Sequence, residues 1–273
     1  MSRSVLFPAT GPAFIRVMEV DDAVVEGDVS WLVGSSTGAL RATALHFGRS
    51  TGFIARAYLA MVWYPWRGPG ALREMMRRLV RRAALSESPP ATTRAKLAIM
   101  VTHSPYLPSF VLLFVCLVGN WVGVRLIYRL AELHVYVTSR PDDFPLAFDA
   151  DVTVRFKALT SRNLASVLYA SVNLPLLMGG GLFDADCDGG LMFYFMNGRV
   201  KAGADVVLVG DAPAHQMTRA LCDPRPIHRG PGLRVVSPRS ANPISLLDWF
   251  NPLYVMRPHL RVRKWLGHDA SAR

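Results

Sequence analysis

Apolar positions along the chain fall into short runs, and near the start these alternate between two kinds. Residues 4–7 form a short apolar run that reads as a buried strand. Residues 8–12 hold two prolines and a glycine and read as a turn. Residues 13–25 have the content of a helix, although β-branched side chains lower its propensity. Residues 29–33 read as a second strand that ends at Gly34. After Gly38 the run 39–45 again has helical content. A β-α-β-turn-α order argues for an α/β protein with a mainly parallel central sheet and helices on both faces, a three-layer α/β/α arrangement.

Further along, residues 72–85 predict an Arg-rich helix. Met75, Met76, Leu79, Val80 and Ala83 recur at helical spacing among arginines. A core-facing stripe with a solvated basic face is the common form of this pattern, and a helix lying on a membrane is the other. Residues 110–124 are almost wholly apolar. That stretch is shorter than the roughly 20 residues a membrane crossing needs, and Arg125 follows it, so a buried or interfacial helix is expected. Residues 134–139 and 152–156 read as strands, 161–172 as a helix ending near Pro175, and 205–209 as an apolar strand. Gly179, Gly180 and Gly181 open a loop that runs to Gly190. Beyond Gly210 the chain is rich in proline and arginine. The expected division is an α/β unit over 1–215 and a basic extension over 216–273, packed on it or peripheral.

Charge adds a direction. The chain has 273 residues, with 31 Lys and Arg against 20 Asp and Glu, a formal net charge of +11. Such a surface favours anionic partners, among them lipid head groups. No zinc-finger, basic-zipper or RNA-binding signature supports nucleic acid. Cys116, Cys187 and Cys222 are too sparse and irregular for a disulfide framework or a zinc site, which suggests a reducing compartment. The first residues lack a long apolar segment and meet Pro8 and Pro12 early, so no signal peptide is expected. Together these features suggest a cytoplasmic protein with peripheral contact to anionic membranes.

Two segments carry candidate chemistry. Gly34-Ser35-Ser36-Thr37-Gly38 fits a nucleophile elbow, G-x-S-x-G, between a strand and a helix. The small residues let strand and helix close around a sharp turn that exposes the serine at the head of the helix dipole. A plain β-to-α turn would also use these glycines. Asp186-Cys187-Asp188-Gly189-Gly190 is the second segment, and alone it could be an ordinary turn. Asp184, Asp186 and Asp188 match the first half of a calcium loop, but its twelfth position is Phe195, where a glutamate is needed. Gly179–Gly181 lacks the lysine of a phosphate loop. His46, His103, His134, His259 and His268 show no ligand spacing, so no metal and no cofactor are expected. An α/β-hydrolase triad would draw on His215 or His228, but that fold places more strands before its elbow than fit ahead of Ser36.

Taken together, residues 34–39, the segment 165–175 with its Ala170-Ser171 and Pro175, and Asp188-Gly189-Gly190 resemble the patatin-like phospholipases. Residues 134–139 and 201–209 look like that family's mid-domain strand and the strand after its aspartate loop. The resemblance implies a patatin-like fold and a lipid acyl hydrolase, a phospholipase or esterase, that uses a Ser-Asp dyad. Ser36 would be the nucleophile and Asp188 the base. Gly34, Gly38, Gly189 and Gly190 would shape the two loops, and the backbone N–H groups of Thr37 and Gly11 would form the oxyanion hole. The family also carries a glycine-rich loop after its first strand. Here residues 7–14 keep one glycine, and Pro12 has no N–H to give. Slow turnover follows as an expectation. The alternatives are a weakened or inactive lipid-binding or regulatory protein on the same scaffold, and a small integral membrane protein built on residues 110–131.

Overall fold

The computed structural model describes residues 3–9, 28–49, 54, 71–84, 95–112, 127–174, 185–191, 200–202, 206–209 and 234–236. The strands are β1 (Arg3–Phe7), β2 (Val29–Ser35), β3 (Lys96–His103), β4 (Glu132–Val137), β5 (Leu146–Phe148), β6 (Val154–Ala158), β7 (Asp186–Cys187), β8 (Val200–Ala202), β9 (Val206–Val209) and β10 (Arg234–Val236). The helices are α1 (Thr37–His46), α2 (Ala71–Ala84), the short α3 (Ile127–Leu130) and α4 (Leu164–Val172).

Among the described residues the main sheet has eight strands in the order β10-β9-β1-β2-β3-β4-β6, with β7 also paired to β3. Neighbours are parallel except at β3, which runs antiparallel to both β4 and β7. A separate antiparallel pair joins β5 and β8. The protein is thus mixed α/β with a mostly parallel central sheet.

Both faces of the sheet are covered, which is why its central strands read as continuous apolar runs. Val5, Phe7, Leu32, Leu97, Ile99 and Val101 pack with α1, α2 and α4 on one face. Leu6, Trp31, Val33, Ala98, Met100, Leu133, Val135 and Val137 face the other way and pack with Leu112 and Leu146. The Arg-rich helix α2 turns Met75, Met76, Leu79, Val80 and Ala83 into the first cluster, while Arg77, Arg78, Arg81 and Arg82 are exposed. Its apolar stripe is therefore spent on the core, and only its basic face meets solvent.

Several expectations shift. β4 is Glu132–Val137 rather than 134–139, β6 is Val154–Ala158 rather than 152–156, and α4 starts at Leu164 rather than 161. Val152 is buried in a turn, its N–H donated to the Asp149 carbonyl at 3.0 Å. The run 201–209 is divided between two strands: β8 joins β5, and β9 joins β1. Residues 13–25, 113–126 and 179–181 and nearly all of 216–273 lie outside the described residues. Among the described residues no helix is long and apolar enough to cross a membrane.

Candidate active site

β3 organises the site because its edge changes partner midway. Ser35, the last residue of β2, pairs with Met100. Two residues further on, Thr102 and His103 pair with Cys187 and Asp186 of β7. β4 already occupies the other edge of β3 at these positions. β7 therefore follows on along the edge that β2 has left, and the chain after each strand meets at the gap. Ser36 follows β2, and Asp188 follows β7.

At Ser36 the chain turns from strand to helix. Its φ of 53° and ψ of −129° make it the one non-glycine residue with positive φ among those described. Holding serine there costs about 1–3 kcal/mol, a strain typical of functional positions. Packing of the flanking glycines maintains it. A Cβ on Gly38 would collide with the Phe7 carbonyl, and one on Gly34 would sit 2.5 Å from the Gly38 oxygen. Any larger residue would push β1, β2 and α1 apart. Thr37 is the first residue of α1, so its N–H lies at the positive end of the helix dipole.

Ser36 Oγ donates a hydrogen bond to Asp188 Oδ2 at 2.7 Å, between two buried residues. The other carboxylate oxygen, Oδ1, accepts the Gly190 N–H at 2.7 Å. The Asp188 backbone is tied on both sides: its N–H donates to the Asn173 carbonyl at 3.0 Å, and its carbonyl accepts from Thr102 Oγ1 at 2.8 Å. Gly189 sits where a Cβ would strike the Met100 carbonyl, which brings the aspartate segment tight against β3. Burial raises the Asp188 pKa to about 7, and the hydrogen bonds from Ser36 and Gly190 only partly offset it. A carboxyl that ionises near neutrality is suited to accept and return a proton.

Ser171 is a further member that sequence reading did not assign. Buried in α4, its Oγ donates to the Met100 carbonyl at 2.7 Å and accepts the Ser36 N–H at 3.0 Å. It thereby fixes the backbone of the strained residue to β3. The Ala170-Ser171 pair ahead of Pro175 was the available signal, but it gave no role. A cleft of about 280 Å³ opens beside this point, lined by Tyr169, Ala170, Asn173, Ala185 and Asp186. Asn173 is buried, and its Oδ1 has no hydrogen-bond partner among the described residues.

Of the expected site residues, Gly34, Ser36, Thr37, Gly38, Asp188, Gly189 and Gly190 converge on this gap. Gly11 lies outside the described residues, as do His215 and His228. The histidines that lack ligand spacing along the chain behave differently in space. His103 and His134 stack with ring centroids 4.1 Å apart, and Asp186 sits against both. Burial pushes the His134 imidazole down, and the charges of His103 and Lys157 push the same way. Arg155 beside Glu132 holds that carboxyl below its usual range.

Comparison with protein-family models and with curated proteins finds no match for this chain.

Proposed function

We propose that this protein is a serine acyl hydrolase that cleaves carboxylic esters, lipid esters among them, through a Ser36-Asp188 dyad of the patatin-like kind. The observation that carries the reading is the 2.7 Å hydrogen bond from Ser36 Oγ to Asp188 Oδ2 at a strained strand-to-helix turn. The two residues come from distant parts of the chain, and a plain turn has no need of that bond. In its ionised form Asp188 takes the Ser36 proton as Oγ attacks the ester carbonyl. The tetrahedral oxyanion is assigned to the N–H of Thr37 at the head of α1, with Gly11 as the second donor. Protonated Asp188 then gives its proton to the departing alkoxide, leaving an acyl group on Ser36. Water, deprotonated by Asp188, attacks that ester, and the acid is released as Ser36 recovers its proton.

A patatin-like fold and peripheral binding to anionic membranes belong to the same proposal. Four exposed arginines on α2 and the net charge of +11 support the membrane contact. A second reading, ester or lipid binding with little or no turnover, is favoured by Pro12, which has no N–H to give in the sequence that follows β1. Hydrolysis of short-chain p-nitrophenyl esters separates the two. The hydrolase reading expects turnover that Ser36→Ala abolishes and Ser35→Ala leaves largely in place. No turnover by the folded wild type would favour the binding protein, and equal turnover by Ser36→Ala would sink the dyad.

A further inference from the structure

The proposed hydrolysis makes no use of the polar cluster beside the dyad. His103 ends β3, His134 lies within β4, and Asp186 begins β7. His103 Nδ1 is 2.7 Å from Asp186 Oδ1, and His134 Nδ1 is 3.7 Å from that same oxygen. The two ring planes are 20° apart. Two near-parallel imidazoles thus aim the same nitrogen at one carboxylate. One ligand atom from each of the three residues lies within 4.8 Å of the others.

Neighbouring side chains reveal the proton positions. Lys157 Nζ lies 3.0 Å from His134 Nδ1. An ammonium only donates, so this Nδ1 is the acceptor and carries its lone pair. The His134 proton is then on Nε2, 3.3 Å from Glu132 Oε2. Arg155 Nη2 holds the other Glu132 oxygen at 2.9 Å. An imidazole whose far N–H is given to a carboxylate and whose near nitrogen is bare has the tautomer and support of a metal-ligating histidine.

We propose that His103 Nδ1, His134 Nδ1 and a carboxylate oxygen of Asp186 bind one divalent ion of the zinc class. Two imidazoles and a carboxylate suit a first-row transition ion better than magnesium or calcium. Three protein ligands also leave at least one position for water. On binding, solvent carries the proton that His103 Nδ1 gives to Asp186 round to Nε2, which frees the Nδ1 lone pair and keeps the imidazole neutral. The ion takes the lone pair that Lys157 now approaches. Lys157 is exposed on β6, the last strand at this side of the described sheet, and has room to swing away. The bound ion would join β3, β4 and β7 two residues before Asp188. None of the three ligands belongs to the Ser36-Asp188 pair, so this site does not depend on the hydrolase reading.

The test uses full-length, tag-free protein stripped with a chelator. Zinc is titrated by calorimetry, and cobalt by its visible absorption. One ion per chain at micromolar affinity or tighter is expected, with a zinc-dependent rise in Tm. His103→Ala and Asp186→Asn should each weaken binding at least tenfold and cancel the rise in Tm. Glu132→Gln should weaken it about tenfold, as loss of a supporting carboxylate does. His103 and Asp186 are both partly exposed, so their replacement leaves the core intact, and circular dichroism checks folding. Ser36→Ala should bind zinc as the wild type does, which keeps this outcome apart from any failure of the esterase. Absence of stoichiometric binding, or binding unchanged in either His103→Ala or Asp186→Asn, would overturn the proposal.

Discussion

Asp186 and Asp188 stand two residues apart and occupy opposite environments. Asp188 is buried, and among the described residues its carboxylate is met by a hydroxyl and a backbone N–H. Nothing positive lies among those partners, so burial dominates and the pKa climbs to about 7. The Asp186 side chain is 41% exposed and meets two imidazoles. In the proposed roles, one carboxylate holds and releases a proton, while the other shares a cation. The difference comes from how far β7 runs. Two residues of pairing carry Asp186 to the open end of β3, and the next residue drops into the gap beside Ser36. Identical side chains thus take different chemistry from depth and from neighbours.

The sharpest break of this contrast is to neutralise each aspartate in turn. Asp188→Asn should lower kcat for ester hydrolysis by about two orders of magnitude or more, as loss of a general base does. Asp186→Asn should cost less than about tenfold in the same assay. Equal losses would erase the distinction between them.

The raised pKa gives two further outcomes. Base catalysis needs ionised Asp188, so kcat/KM should fall as pH drops through about 7. Stability runs the other way. The fold disfavours the charged form, so Asp188 contributes fully below its ordinary value of 3.8, and that contribution is lost as pH rises through about 7. Asp188→Asn cannot ionise. Denaturant unfolding should therefore find it gaining on the wild type between pH 4 and pH 8, by at most about a few kcal/mol. A constant difference across that range would mean that the carboxyl is not held in a dry site.

Ser171→Ala should act more gently. It removes the acceptor for the buried Ser36 N–H and the donor to Met100, at a cost of about 1–3 kcal/mol in stability. A positioning role predicts a kcat loss of roughly tenfold with KM little changed, and rescue by Ser171→Thr. A loss of stability with kcat intact would reduce Ser171 to a packing residue. The smallest effect concerns the surface. Co-sedimentation with anionic vesicles should weaken as salt rises, because the exposed arginines of α2 act only through screened charge.

Much of this contrast was legible in the chain, and some was out of reach. Ser36 and Asp188 announce themselves because turn chemistry is local: small residues must flank each of them. The strands around Ser36 and the stripe of α2 follow from periodicity within a few residues. β3 gave little sign of itself. Leu97 to Val101 is buried on both faces and shows no alternation, so a central strand reads as an unbroken apolar run. The supports of Asp188 were likewise hidden. Thr102 and Asn173 act through strand register and a helix end, which no short window of sequence contains. The same holds for His103, His134 and Asp186, which lie on three strands and share no spacing. The expected strand 134–139 starts two residues after β4 and the expected 152–156 two residues before β6, because alternation marks a strand better than its ends.

The central claim is that Ser36 is a nucleophile activated by Asp188, and covalent labelling tests it most directly. Purified protein is treated with a fluorophosphonate, and the adduct is located by mass spectrometry while its rate is followed. The account predicts a single adduct on Ser36, absent in Ser36→Ala, retained in Ser35→Ala and slowed at least tenfold in Asp188→Asn. An adduct on another serine, or labelling of Asp188→Asn at the wild-type rate, would contradict it.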